Sequence, residues 1–260
     1  MKVAILCGGK GTRLQEKTES VPKPLIEIGG RPILWHIMKI YSHWGFNDFV
    51  LLLGYKGEKI KEYFVDGDRW RRHNFRLEMA PGEQPRLEYL HQDDEAWRVT
   101  FVDTGLETNT GGRIKKAEPY IDGDTFMVTY GDGVADIDLR ELVSTHRRHG
   151  RFATVTAVTP LSQFGIMRVG EDSTVREFTE KPRMRDWVNG GFFVFQREVF
   201  RFLGDNAILE REPLQRLAEE GQIVAHKHGG FWACMDTYKD AVTLDNLWNS
   251  KQARWKLWED

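Results

Sequence analysis

The spacing of apolar and polar positions gives the chain two textures. Through residues 1–150, short apolar runs alternate with amphipathic segments. VAILC, DFVLLLGY, RVTFVDT and TFMVTYGDG read as strands. PILWHIMKIYSHWG predicts a helix. Pro32 stands near its start, Ile33, Ile37, Ile40, Tyr41 and Trp44 share one face, and Gly45 ends it. GEKIKEYF predicts a short amphipathic helix, and GGRIKKAEPYI one entered through glycines, with Pro119 near its end. DLRELVSTHRRHG predicts a helix with Asp138 as N-cap, Glu141 completing a capping box and Gly150 as stop. This alternation predicts an α/β fold with a mostly parallel sheet and helices on both faces. Ligands of such sheets sit at the carboxyl ends of the strands. The glycine turn after VAILC and the YGDG after TFMV both fall there, so both can face one cleft.

After residue 150 the chain becomes β-rich. FATVTAV, IMRVG, TVREFTE, GGFFVF and QIVAHKH are short β runs separated by turns. Helices are predicted over Gln196–Leu203, Pro213–Glu220 and Lys239–Asn249. No Pro/Gly/Ser-rich linker divides the halves. The expectation is one domain over 1–260, whose smaller β-rich second half extends the same sheet. The region from Asp66 to Trp97 is polar and charge-rich, and reads as an excursion from the core, a candidate for assembly.

Composition narrows the function classes. Of 260 residues, 40% are hydrophobic and 29% charged, a globular balance that argues against disorder. The formal net charge of -2, with no basic stripe, argues against nucleic acid as a partner. Cys7 and Cys234 are too few for a disulfide framework and form no C-x-x-C pair. They read as reduced thiols of a cytoplasmic protein, each a small buried hydrophobe. No apolar run approaches the roughly 20 residues that span a bilayer, so no membrane partner is expected. VAILC is also too short for a secretory signal core.

The first glycine turn admits three readings. Gly9-Lys10-Gly11-Thr12-Arg13-Leu14 approaches a dinucleotide-binding G-x-G-x-x-G, but Leu14 replaces the third glycine and no clear acidic ribose contact follows. The P-loop spacing is absent. A looser phosphate cradle fits better: glycines expose backbone N–H groups, Arg13 offers a planar fork, and Lys23 a point charge stiffened by Pro22 and Pro24. The plain alternative, a surface loop with solvated charges, is favoured for a lone glycine turn; the joint pattern is more specific. Asp132 in YGDG and Asp236 in CMDT have plain alternatives of their own, a turn residue and an N-cap. Asp103-Thr104-Gly105 matches an aspartic-protease tripeptide without the second copy such a dyad needs. The pairs His146/His149 and His226/His228 lack a third metal ligand and read as solvated helix or edge-strand histidines. Trp255 and Trp258 read as anchors of a terminal helix on its own core, or on a neighbouring subunit.

GGKGTRL followed by PKP resembles the signature of sugar-1-phosphate nucleotidylyltransferases, and ILWHIMKIY, GYKGEKIKEYF, TGGRIKKA, TYGDGVADIDL, EKP, NGGFFVF and FWACMDT agree with that family, its cytidylyltransferase members most of all. The resemblance runs from about residue 1 to 258 and is weakest between Asp66 and Trp97. Cys7 departs from the family's usual Ala, a near-isosteric change that adds susceptibility to oxidation. The resemblance implies a single Rossmann-like, glycosyltransferase-A-like domain. Residues 1–150 would mainly bind nucleotide, 151–240 sugar phosphate, and 241–260 form a C-terminal helix and tail. It implies CTP and glucose 1-phosphate as substrates, CDP-sugar and pyrophosphate as products, Mg2+ as cofactor, and a homo-oligomer serving deoxysugar synthesis.

The resemblance also implies roles. Backbone groups of Leu6, Cys7, Gly8, Gly9, Gly11 and Gly131 line the nucleotide, and Thr12 and Arg13 meet the triphosphate. Lys23 reaches the phosphates between the substrates, and Asp132 and Asp236 bind the metal. Lys181 binds the sugar phosphate. Glu180 and Asn189 bond sugar hydroxyls, with Gly190 and Gly191 allowing close approach. Thr110 and Arg113 carry base specificity. Two readings stand beside this one: the same chemistry with another base or sugar, and a non-catalytic nucleotide-sugar-binding regulator.

Overall fold

The computed structural model describes residues 1–11, 14, 20–65, 74–80, 82, 84–90, 95–162 and 164–259. An eight-stranded sheet forms its centre. The first half supplies four parallel strands, β1 (Lys2–Leu6), β2 (Asp48–Leu53), β3 (Arg98–Asp103) and β4 (Thr125–Tyr130), in the spatial order β4-β1-β2-β3. The second half joins the same sheet through β5 (Ala153–Val158), β6 (Val188–Asn189), β7 (Phe193–Gln196) and β8 (Ile223–His228). β7 lies antiparallel between β4 and β5, with Phe193 opposite Val128, so the sheet is mixed there. β8 pairs parallel with β5 along its whole length.

Helices cover both faces, and the strand period of two decides which core each side chain enters. Val3, Ile5, Phe49, Leu51, Met127 and Val194 point to one core. There they meet Ile33, Ile37 and Ile40 of helix α1 (Ile33–His43). Ala4, Leu6, Val50, Leu52, Val128 and Phe193 point to the other. Continuous apolar runs such as DFVLLL therefore bury both faces. Helix α2 (Gly57–Val65) follows β2 and buries Ile60 in the first core. Helix α3 (Thr110–Ala117) contributes Ile114 and Ala117 to the second core. Leu139 and Leu142 of α4 (Leu139–His149) belong to the first core. Leu217 of α5 (Glu212–Glu219) belongs to the second, and Leu244 of α6 (Tyr238–Asn249) to the first.

Four local expectations change. Asp138 caps α4 by accepting from the N–H groups of Arg140 and Glu141 at 2.8 and 2.9 Å, but the cap is one-sided. The reciprocal capping box closes instead at α6, between Thr237 and Asp240. Residues Arg197–Phe202 form a 3-10 helix, whose three-residue turn brings Val199 and Phe202 to one buried side. The histidines are not solvated. His146 is buried with Nδ1 2.8 Å from Thr154 Oγ1, His149 Nε2 is 2.8 Å from the same hydroxyl, and His226 is buried. His228 Nε2 pairs with Asp136 at 3.0 Å. The terminal tryptophans lie in turns, not in a helix: Trp255 is buried and stacks on Phe231.

Outside the sheet, Phe75–Glu78 pairs with Arg86–Tyr89 as a separate ribbon within the polar excursion. Ile166–Val169 pairs with Val175–Thr179 as an exposed ribbon. Among the described residues no helix is long and apolar enough to cross a membrane.

Candidate active site

Two adjacent parallel strands end side by side. Leu6 of β1 is in register with Tyr130 of β4, and Gly131 N–H donates to Leu6 O at 3.1 Å. The glycine turn and the YGDG turn therefore emerge together. Beyond Asp132 the short strand Gly133–Ala135 pairs antiparallel with Trp232–Cys234, Gly133 opposite Cys234. Met235 N–H donates to Asp132 O at 2.9 Å. This ribbon places Asp132 and Asp236 at one end, 104 residues apart in sequence (236 minus 132).

Lys23 completes the constellation. Pro22 and Pro24 hold it in a single 3-10 turn, Lys23–Leu25. Its Nζ donates to Asp132 Oδ2 at 2.6 Å and to Asp236 Oδ1 at 2.9 Å. Burial alone would pull the ammonium's pKa down. The two carboxylates outweigh it and hold Lys23 above the usual lysine value. Ligand atoms of Asp132, Cys234 and Asp236 all lie within 4.8 Å of one another. Burial, and then the two carboxylates, push the Cys234 thiol up, so it stays protonated and is a poor donor to a hard cation. The expectation that Cys234 is a plain buried hydrophobe gives way to a half-buried thiol beside two carboxylates. Two hard carboxylates converging on a point that already holds a positive charge are a donor set that fits Mg2+.

Between these turns lies a cavity of about 380 Å³, within the range of small-ligand sites. Leu6, Cys7, Gly8, Gly9 and Gly11 line one wall, Lys23, Gly131, Asp132 and Asp236 a second, and Thr110 and Arg113 a third. Thr12 and Arg13 lie outside the described residues. Cys7 is buried, and burial, then Asp132, pushes its thiol up.

Arg113 takes an unexpected position. The residue is only 4% exposed, and its guanidinium lies beneath the glycine turn. Nη1 donates to Leu53 O, Gly105 O and Thr104 Oγ1, and Nη2 to Gly8 O and Leu106 O, at 2.5 to 3.2 Å. Burial lowers its pKa. A Cβ on Gly8 would overlap this guanidinium, so glycine is needed there for close approach. Arg113 borders the cavity while its donors brace the loops that form it.

The sugar-side candidates divide. Asn189 Nδ2 donates to Tyr130 OH at 3.0 Å, and Tyr130 lines the cavity. Gly190 O accepts from Trp232 Nε1 at 2.8 Å. Glu180 and Lys181 follow the exposed ribbon, 3.7 Å from each other and not on the cavity wall, with Lys181 at φ 46°. Sequence reasoning missed Tyr130 and Glu210, which hydrogen-bond at 2.6 Å. Tyr130 had a signal, as the last strand residue before GDG; Glu210 had none.

A cavity of small-ligand size with a cation and two carboxylates converging on it, at the carboxyl ends of a mostly parallel sheet, defines a class: α/β proteins that take their ligand at the strand ends. The chain belongs to the nucleotidyl transferase family, whose model matches residues 2–252. It is 49% identical to the probable glucose-1-phosphate cytidylyltransferase of Bacillus subtilis (strain 168), over 99% of this chain and 100% of that protein. It is 46% identical to the glucose-1-phosphate cytidylyltransferase of Salmonella typhi over 100% of both. Among solved structures, HddC from Yersinia pseudotuberculosis has the same fold, with TM-score 0.70, 21% identity, and 95% of this chain and 99% of that chain covered.

Proposed function

We propose that the protein transfers a cytidylyl group from CTP to α-D-glucose 1-phosphate, releasing CDP-glucose and pyrophosphate. The observation that carries this is the convergence of Lys23, Asp132 and Asp236 on a cavity edged by the glycine turn. Near-half identity to cytidylyltransferases along the whole chain supports the choice of base and sugar.

The sugar phosphate oxygen attacks the α-phosphorus in line, and pyrophosphate leaves. The nucleophile is already an anion, so no side chain has to remove a proton. The work left to the protein is positioning and charge stabilisation. Backbone groups of residues 6–11 hold the nucleotide, and Thr12 and Arg13 meet its triphosphate. Lys23 sits where the phosphates of the two substrates approach and offsets their repulsion. Asp132 and Asp236 would hold Mg2+, which would supply positive charge to the α-phosphate when bound. Asn189 would bond the sugar, and Glu180 and Lys181, which lie off the cavity wall, would meet it and its phosphate. Residues 1–150 would thus mainly serve the nucleotide and 151–240 mainly the sugar phosphate, with Lys23 and Tyr130 reaching across from the first half. A reduced, cytoplasmic setting suits a nucleotide turn that carries a thiol. Association of copies would cover Phe164, Met167 and Phe178, which the exposed ribbon and its approach leave bare.

The test is pyrophosphate release from CTP, glucose 1-phosphate and Mg2+, against a panel of UTP, dTTP, GTP and other sugar 1-phosphates. Turnover favouring CTP and glucose 1-phosphate supports the proposal. Preference for another pair moves the specificity and leaves the chemistry. No turnover with any pair, combined with tight CDP-glucose binding, points to a regulator instead.

A further inference from the structure

Glu210 is an anion beside a cavity proposed to hold two anionic substrates. Such a charge opposes binding unless its geometry is needed. The structure shows how firmly it is delivered. The segment 205–210 lies on the first turn of α3. Gly112 N–H donates to Ala207 O at 3.0 Å and Asn109 N–H to Asn206 Oδ1 at 2.7 Å. A Cβ on Gly111 would stand 2.8 Å from Ala207 O, and one on Gly112 would overlap Asp205 O. The glycines of TGGR thus admit this segment, and Leu209, fully buried, pins it.

Glu210 then ends two hydrogen-bond chains. Its Oε2 accepts from Thr110 Oγ1 at 2.8 Å, and that hydroxyl accepts from Leu209 N–H at 2.9 Å. Its Oε1 accepts from Tyr130 OH at 2.6 Å, and the phenol accepts from Asn189 Nδ2 at 3.0 Å. Asn189 Oδ1 accepts from Gly191 N–H at 2.9 Å. Every proton in this relay has one direction. Both hydroxyls donate to position 210, so only an acceptor with two free oxygens satisfies both. Burial, and then the Glu210 charge, push the Tyr130 phenol up and keep it a donor.

We propose that Glu210 is a positioning residue that ties the nucleotide-side wall, through Thr110, to the sugar-side wall, through Tyr130 and Asn189. This rests on the proposed function, because the two walls are named by the substrates they would meet.

The experiment uses the full chain and compares wild type with E210Q, Y130F and the double variant. Glutamine keeps the shape but can accept from only one hydroxyl. E210Q is expected to raise KM for both CTP and glucose 1-phosphate about tenfold, with kcat changed less and Tm within about 2 °C of wild type. Y130F is expected to raise KM for glucose 1-phosphate, and E210Q added to it to raise that KM no further, since the route to Asn189 is already cut. An active E210Q with unchanged or lower KM values overturns the inference and leaves the function standing. So does an additive double variant. If E210Q melts early, T110V and Y130F carry the test: T110V must raise the KM for CTP and Y130F that for glucose 1-phosphate, and failure of either overturns it. A wild type that turns over no substrate pair removes the function and this inference together.

Discussion

Lys23 Nζ lies 2.6 Å from Asp132 Oδ2 and bridges to Asp236 Oδ1 at 2.9 Å, so one ammonium separates two carboxylates that would otherwise repel. Its side chain is 14% exposed. The charge thus sits where solvent screening is weak and Coulomb forces are stronger than at a surface.

Lys23→Met should therefore do two separable things. Turnover should fall by about two orders of magnitude or more, the scale on which removing one charge-stabilising group acts. Mg2+ should raise the Tm of this variant more than that of wild type, because the ion then relieves a repulsion that the lysine relieves in wild type. Steady-state pyrophosphate release and melting with and without Mg2+ measure both. Wild-type turnover, or an equal Mg2+ shift, refutes the assignment.

Arg113 carries a different prediction. Of its five contacts, those to Gly8 O, Leu53 O and Thr104 Oγ1 satisfy buried acceptors, and those to Gly105 O and Leu106 O are part-buried. Lysine cannot reproduce the planar fork. Arg113→Lys should cost about 3 kcal/mol of stability, and a change confined to base preference, with stability intact, would show that Arg113 acts on the ligand alone. Urea denaturation and a CTP/UTP comparison distinguish the two.

The central sheet was legible because apolar runs and turn chemistry agree at each strand and helix. VAILC, DFVLLL and TFMVTY are strands, and α1 and α4 lie within a residue or two of the expected bounds. The family was legible, since GGKGTRL followed by PKP and the later agreeing stretches occur together along the chain. Long-range partners were not legible in spacing, and the pairing of Asp132 with Asp236 was expected from the family resemblance alone. Nothing in local spacing says that Asp132 and Asp236 meet at one end of a ribbon; that follows from the pairing of Gly133 with Cys234. Arg113 was expected, from the family resemblance, to carry base specificity; the structure places it on the cavity wall with its donors turned to the surrounding loops, a packing role that spacing does not show. The histidines were misplaced for a related reason: helical spacing cannot tell that Thr154 waits on β5 to meet both His146 and His149.

Asp136 extends the ribbon argument. Its Oδ1 accepts from Phe231 N–H at 2.5 Å and lies 3.0 Å from His228 Nε2, while Oδ2 meets Arg254 Nη2 at 2.7 Å. These contacts fasten the end of the ribbon opposite Asp132 and Asp236. Asp136→Ala should loosen its register. The Mg2+ concentration for half-maximal rate should rise several-fold, with a stability loss of about 1–3 kcal/mol from the orphaned Phe231 N–H and its neighbours. An unchanged Mg2+ requirement in a destabilised variant would limit Asp136 to a folding role.

The buried histidines set a pH dependence. His36 is fully buried, donates from Nε2 to Ile28 O at 2.8 Å, and is pulled down to about 4 by burial. His146 is pulled down to about 4 by burial, with His149 and Arg147 adding to it, and its Nε2 has no hydrogen-bond partner among the described residues. Each is held neutral in the folded state, whereas an unfolded histidine titrates near 6.5. Between those values the unfolded chain binds more protons, so stability falls as pH drops from about 6.5 toward 4 and is flat above that window. For His36 the full fall is on the order of 3 kcal/mol. Urea midpoints at pH 7.5, 6 and 5 should decline in that order. Replacing His146 with glutamine, which cannot be protonated here, should make the decline shallower and leave the share due to His36; a slope unchanged in that variant would show that His146 is not among the groups being charged, and stability level from pH 7.5 to 5 that neither imidazole is.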